Sequence, residues 1–248
     1  MRTTTMTADR TTDVTALGTV LGVWAHPDDE TYLAGGLLAA LRDAGNRVVC
    51  VTATRGEAAD PSATAGERIA LAALRTRELE AALSILGVAE HHWLDHPDGG
   101  CSALDPVRPA RHLARLIEAV RVDTVLTFGP DGFTGHPDHR AVSAWTDLAV
   151  RLATGAGVVP RVLHAVASDH PVDPGLDADF GVFDLGQPRV CADEDVLVRL
   201  PLTGEALDRK VAALLAQESQ TSALVAAVGA DRFRAWVATE HWAAPEVG

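Results

Sequence analysis

Aromatic residues make up only 4% of this chain, methionines number two and cysteines three, and acids outnumber bases enough to leave a formal net charge of −13. Each shortage excludes something. Cys50, Cys101 and Cys191 are odd in number and widely spaced, which leaves neither a disulfide framework nor a CxxC metal site. The acidic balance argues against a surface for nucleic acid or anionic membrane, since both would be repelled on average. No window approaches the roughly 18 apolar residues of a membrane span. The start, MRTTTMTADRTTDVTA, has no apolar stretch of the secretory kind. The expectation is a cytoplasmic protein with a frayed N-terminus over residues 1–16.

What is present is a regular alternation of short apolar runs and helix-like stretches. LGTVLGVWA (17–25) reads as a buried strand and TYLAGGLLAALRDAG (31–45) as the helix after it. RVVCVTAT (47–54) is a second strand, followed by a long helix, about 66–86, stopped by Gly87. HHWLD (91–95), TVLTFGP (124–130) and RVLHAVAS (161–168) supply three more strands, with helices over 106–121 and 138–153 between them. Strand–helix alternation at this spacing predicts an α/β fold with a mostly parallel sheet covered by helices on both faces. Right-handed crossovers favour a Rossmann-like order, 3-2-1-4-5. After residue 170 the pattern changes to β-like pieces, FGVFDLG and DVLVRLPL, then a helix over 204–218 and a helical tail. No Pro/Gly/Ser linker precedes that segment, so residues 17–248 read as one domain with 170–248 as its extension or cap.

The chain writes HPD three times, at His26–Asp28, His96–Asp98 and His136–Asp138. In an open parallel sheet, ligands bind beyond the carboxyl ends of the strands where the strand order reverses. HPDDE (26–30) follows strand 1 and GHPDHR (135–140) follows strand 4, so both reach one crevice. The middle copy follows strand 3 and is expected at most to rim the pocket, with His96 in a turn. The residue types suit a metal hydrolase. A catalytic zinc takes three protein ligands and keeps a position open for water. His26 and Asp29 with one histidine of GHPDHR form a His2Asp set. Adjacent acids diverge, which leaves one carboxylate of HPDDE free to take a proton from water. Spacing alone does not say whether Asp28 or Asp29 is that base. Elsewhere, His91, His92, His112, His164, His170 and His241 show no pattern that supports a role.

The pair AHPDDE (25–30) and GHPDHR (135–140) resembles the PIG-L/LmbE-like family of metal-dependent N-deacetylases. TRGEA (54–58), RTRELEAALSILGV (75–88) and PDGG (97–100) resemble further segments of that family, so the likeness spans roughly residues 18–145. The resemblance implies a Rossmann-like fold and one Zn2+, with Fe2+ as the alternative metal. It implies His26, Asp29 and His139 as ligands, Asp28 as general base, and His136 as proton donor or oxyanion stabiliser. Arg75 matches a family position that contacts substrate hydroxyls, the alternative being a solvated charge on a helix face. Arg55 and Asp98 carry the same two readings, and Glu30 is read as supporting the loop by hydrogen bonds. The implied reaction is hydrolysis of an N-acetyl group from an N-acetylglucosaminyl-type small-molecule conjugate. Alternatives are an amidase of mycothiol-type thiol conjugates, a natural-product tailoring deacetylase, or a non-catalytic sugar- or metal-binding protein on the same fold. A homo-oligomer is compatible with the sequence. The chain departs from the family pattern at Gln217, where a histidine is expected, and at His96, where an aromatic or arginine is common.

Overall fold

The computed structural model describes residues 13–168 and 181–246. A capped 3₁₀ turn, Val14–Leu17, occupies part of the expected frayed segment, with Asp13 accepting from the Thr15 amide. Gly18 then turns at φ 65, so the first strand starts later than the apolar run does. This strand, β1 (Val20–Trp24), is followed by α1 (Asp29–Asp43), β2 (Val48–Thr52), α2 (Ala65–Leu86), β3 (Glu90–Trp93) and α3 (Val107–Val120). Next come β4 (Thr124–Phe128), α4 (Pro137–Gly155), β5 (Arg161–Ala165) and β6 (Ala167–Ser168).

The sheet order is β3-β2-β1-β4-β5, as expected, with all four of these pairings parallel. Every residue of β1, β2 and β4 is buried, which is what continuous apolar runs require in a sheet covered on both faces. At β1 the Gly22 position leaves room for the Trp24 indole, which a Cβ there would strike. Trp24 in turn meets Phe128 and Trp242 edge-on at 5.8 and 6.2 Å. The long helix α2 opens with a Thr64/Glu67 capping box and closes at Gly87 in the left-handed conformation, matching its sequence signals.

The C-terminal third differs from its expectation. The elements there are β7 (Val190–Cys191), β8 (Val196–Pro201), α5 (Gly204–Leu215), α6 (Glu218–Val228), α7 (Ala230–Trp236) and β9 (Thr239–Ala243). Residues 181–186 form turns, not the strand expected for FGVFDLG, and Phe180 lies outside the described residues. Residues 239–243, expected in a helical tail, form a strand. It runs antiparallel to both β5 and β8, extending the sheet to seven strands. TEHWA alternates, with Trp242 fully buried against Trp24, so tertiary pairing overrides the helical periodicity upstream. No single helix among the described residues is long and apolar enough to cross a membrane.

One buried ion pair of this extension is tied to the parallel core by hydrogen bonds to α1. Lys210 on α5, the chain's only lysine, has a side chain with no exposure. It donates to Glu240 of β9 at 2.7 Å and to the Tyr32 carbonyl of α1 at 2.8 Å. Glu240 also accepts from the Gly36 and Leu37 amides of α1 at 2.7 and 2.8 Å. Both charges are therefore satisfied, and removing either partner strands the other in the core. Lys210→Met is expected to lower stability by about 3–5 kcal/mol. Pairing it with Glu240→Gln should recover part of the loss, as read by urea denaturation of both variants.

Candidate metal and catalytic centre

The first half of the site is the loop between β1 and α1. Asp29 and Glu30 stand in the first turn of α1, two residues earlier than the apolar periodicity suggests, where free amides favour acids. Asp29 Oδ2 accepts from the Ala25 and His26 amides at 3.1 and 2.8 Å, folding the loop back on itself. Between them Asp28 takes φ 95 and ψ −30, a costly conformation for a residue with a side chain. It is held there from several sides. The Asp28 amide donates to Glu30 Oε2 at 3.1 Å, and its carbonyl accepts from the Thr31 and Tyr32 amides. Arg75 Nη2 donates to the Pro27 carbonyl at 2.6 Å and reaches Asp28 Oδ2 at 3.3 Å. Arg75 Nη1 donates to the Gly56 carbonyl, and a Cβ at Gly56, φ 67, would collide with the guanidinium. Glu30 is fully buried and takes hydrogen bonds from the Thr31 hydroxyl and from Gln217 Nε2 at 2.6 and 3.1 Å.

The second half is the turn between β4 and α4. His136 is the N-cap of α4 with Pro137 at the first helical position, and its Nδ1 accepts from the Asp138 amide at 3.2 Å. Its proton therefore sits on Nε2. One turn on, His139 Nδ1 lies 2.9 Å from the Gly132 carbonyl, which requires the proton on Nδ1 and leaves Nε2 as a lone pair. Phe128 stacks on the His139 ring at 4.2 Å and 15°.

The middle HPD does more than rim this crevice, contrary to expectation. His96 turns away, edge-on to Trp145, but Asp98 comes in. Asp98 Oδ1 lies 3.1 Å from His26 Nε2, and Asp138 Oδ2 lies 3.5 Å from the same nitrogen. Asp138, fully buried, accepts from the Gly99 and Cys101 amides at 2.8 and 3.0 Å and so ties the PDGG turn to α4. Positive φ at Asp95 and Gly99 bends the chain back after β3 to make this reach. The three copies meet at the His26 ring, to which the second and third bring Asp98 and Asp138. Asp138 was missed by the sequence reading, although an acid in the first turn of a helix beside a second HPD is the signal that marks it.

Two acids beside His26 Nε2 favour a proton there, so Nδ1 is the ring atom left to give up its own proton to a cation. His26 Nδ1 then faces His139 Nε2 at 3.2 Å, with Asp29 Oδ1 at 3.3 Å from the latter and Asp29 Oδ2 at 3.7 Å from the former. Two lone pairs and a carboxylate turned on one point repel unless a proton or a cation lies between them. A His2Asp donor set of this kind fits zinc, and N/O donors also fit ferrous iron. His136 has a donor atom within 4.8 Å of those of His26 and His139. The proton balance agrees. Burial pulls the His26 pKa down, but hydrogen bonding to the Asp138 and Asp98 carboxylates and the charge of Asp29 outweigh it and raise it to about 10. The acids thus call for a positive charge at this point. Burial, only partly offset by Asp29, lowers His139 to about 4, so it stays neutral and able to ligate. Burial, followed by the charge of His26, also lowers His136. For Asp28, burial raises the pKa to about 7, with Arg75 pulling it down and Asp29 pushing it up. A carboxylate poised there accepts and releases a proton near neutrality.

The other candidates sit further out. Arg75 is 4% exposed, so the solvated-face alternative for it does not hold. Arg55 binds Asp95 and Thr76 and lies 4.0 Å over the Trp93 ring, outside the centre. His91 pairs with Thr52, His92 and His112 are exposed, and His164 is buried 3.8 Å from Asp147. His170 lies outside the described residues. A cavity of about 550 Å³ opens beside the centre, with Asp28, Asp29 and His139 in its wall.

Comparison with known proteins places the chain's family and fold. The family model described as GlcNAc-PI de-N-acetylase matches residues 21–150. A protein of Kineococcus radiotolerans named 1D-myo-inositol 2-acetamido-2-deoxy-alpha-D-glucopyranoside deacetylase is 34% identical over 90% of this chain and 74% of its own length. One of the same name from Nakamurella multipartita is 36% identical over 83% of this chain and 80% of its own. Among solved structures, N,N'-diacetylchitobiose deacetylase from Pyrococcus horikoshii superimposes with a TM-score of 0.59 at 23% identity, covering 82% of this chain and 70% of that one. At that identity the likeness speaks for the fold.

Asp138 faces His26 Nε2 at 3.5 Å and not the Nδ1 that meets His139, and so it orients the ring. Asp138→Ala should therefore weaken zinc binding about 10–100-fold while the chain stays folded. Competition with a chromogenic chelator, alongside circular dichroism, checks both halves of that statement.

Proposed function

Because the chain belongs to the PIG-L family of N-deacetylases, we propose that it hydrolyses the N-acetyl amide of an N-acetylglucosaminyl-type small-molecule conjugate with one divalent cation. The observation that carries this reading is the convergence of His26 Nδ1, His139 Nε2 and Asp29 Oδ1, with Asp28 beside them. His26, Asp29 and His139 would hold the cation, zinc or alternatively ferrous iron. Its chemistry would be that of a Lewis acid, polarising the acetamide carbonyl and lowering the pKa of water.

The protein's own groups do the rest. Asp28 takes the proton of the attacking water, and its pKa of about 7 lets it return that proton to the departing amine nitrogen. His136, with its proton on Nε2, donates to the carbonyl oxygen as that oxygen gains charge in the tetrahedral state. The C–N bond then breaks, giving acetate and a free amino sugar. Arg75 and Glu30 are assigned to holding the strained Asp28 backbone, and Asp98 to orienting His26. Arg55 is assigned to the outer rim. The chain is read as one deacetylase domain, residues 17–248, with 170–248 as its extension or cap.

Asp29→Ala and His139→Ala should each lose zinc and turnover together. Asp28→Asn should keep zinc at one per chain and lose about 10²–10⁴ in kcat. The measurements are metal content of the purified variants and primary-amine release from N-acetylglucosaminyl-inositol and related N-acetylglucosaminides. Each is run as purified, after chelation, and after adding zinc or ferrous iron. An Asp28→Asn protein of near-normal rate would remove Asp28 from the role of base.

A further inference from the structure

The turn that serves His139 is itself under strain. Between β4 and α4 the chain runs GPDGFTGH, residues 129–136, where Gly132, Phe133 and Gly135 take φ 73, 62 and 77. Glycine adopts such angles freely, but a phenylalanine does so at a cost. This backbone path puts the Gly132 carbonyl 2.9 Å from His139 Nδ1 and sets His136 at the head of α4 as its N-cap. A Cβ on Gly132 would come within 3.1 Å of His139 Cβ, so the turn lies directly on the first turn of α4.

One carboxylate oxygen holds the path. Asp131 Oδ2 accepts from the Phe133 amide at 2.9 Å, which closes the turn. The same oxygen accepts from the Arg189 amide at 3.1 Å, which ties the turn to a segment 58 residues away. Arg189 is well anchored. Its carbonyl accepts from the Ala167 amide beside the β6–β7 pairing, and its side chain reaches the Ala244 carbonyl at 2.9 Å and Glu246 at 3.0 Å. The residues before it lie against the turn: the Phe183 ring meets that of Phe133 at 6.4 Å, and a Cβ on Gly135 would strike the Leu185 carbonyl. From the other side, Arg140 Nε donates to the Asp131 carbonyl at 3.2 Å. Residues 183–189 therefore form a strap over the turn, and Asp131 joins strap and turn by hydrogen bonds.

We propose that Asp131 is a positioning residue for the centre: through the Phe133 and Arg189 amides it holds the turn in the form that aims the Gly132 carbonyl at His139 and presents His136. Its carboxylate acts through the two amides and not on the histidines themselves. With the turn released, His139 is free to take either tautomer, and with the proton on Nε2 it has no lone pair there for a cation. The inference rests on the proposed hydrolysis for its turnover readout alone. The state of the His139 proton and the affinity for zinc report on it independently.

The test uses the zinc-loaded full chain. Asp131→Leu keeps the shape of the side chain and removes the acceptor, while Asp131→Asn keeps an oxygen for both amides. Gly186→Val disturbs the same contact from the strap, because a Cβ there already comes to 3.0 Å from Gly135 Cα. Zinc affinity is read by chelator competition, folding by circular dichroism, and the His139 Nδ1 proton by proton–nitrogen correlation spectra of histidine-labelled protein. Asp131→Leu should lose the slowly exchanging Nδ1 proton and bind zinc about 10–100-fold more weakly. At saturating zinc, kcat on N-acetylglucosaminyl-inositol should fall by about the same factor while KM stays within about twofold. Asp131→Asn should recover most of each loss. Gly186→Val should repeat Asp131→Leu, and it is the variant that counts should Asp131→Leu not fold. A folded Asp131→Leu that keeps the proton and the wild-type zinc affinity overturns the positioning role. So does an Asp131→Asn that falls as far as Asp131→Leu. Wild-type turnover with kcat unmoved in folded Asp131→Leu, or with a loss carried by KM alone, overturns it too and leaves the deacetylase reading standing. If the wild type turns over no N-acetylglucosaminide while proton and zinc affinity respond as expected, the positioning role stands and the proposed hydrolysis falls.

Discussion

His26 Nδ1 and Asp29 Oδ1 are brought to 3.2 and 3.3 Å from His139 Nε2 at the end of a parallel sheet, where a proton or a cation has to lie between them. That arrangement is unfavourable by itself, and the surroundings are organised to keep it. Gly132 fixes the His139 tautomer, Asp98 and Asp138 fix that of His26, and the two amides that Asp29 binds fix its free oxygen. Stability is given up to hold charge-bearing groups where a cation is wanted. A cation bound there would return part of it, because groups that repel in its absence would become partners in its presence.

The strain continues one residue away. Asp28 is held at φ 95 by Arg75 from α2 and by Glu30 from α1, while Gln217, at the start of α6, holds Glu30. Gln217 stands where relatives are expected to carry histidine. In this chain its amide feeds the acid that feeds the Asp28 backbone, a link from the C-terminal segment into the first loop. Lys210 and Glu240 make the same connection lower on α1, through a pair that has no exposure to water. The C-terminal helices therefore do two things at once. They brace the loop that presents Asp28, and they turn Leu224, Trp236 and Val237 toward the cavity beside it. Bracing the loop and lining the cavity are thus both carried by the one C-terminal segment.

Much of the parallel core was legible in the residues alone. Buried runs such as VLGVW and VVCVT announce central strands, the Thr64/Glu67 and Gly87 signals bracket α2, and the order 3-2-1-4-5 follows from crossover handedness. From that order the meeting of HPDDE and GHPDHR is a matter of topology. These are local or near-local properties, set by periodicity, capping and turn chemistry, and they survive whatever the rest of the chain does.

Other features were decided only in three dimensions. TEHWA pairs as an edge-to-sheet strand because β5 and β8 offer partners and Trp24 offers Trp242 a surface, and nothing within five residues encodes that. Asp98 enters the centre because a left-handed turn at Asp95 brings PDGG back under α4, where Asp138 binds its amides. Arg75 becomes a brace because Gly56 leaves it a space to occupy. The residue types of the site, His, Asp and Arg in motif spacing, were thus determined by the sequence itself. Their protonation and their partners came from tertiary packing, because burial and charge contact depend on residues that are distant in the chain and adjacent only when it is folded.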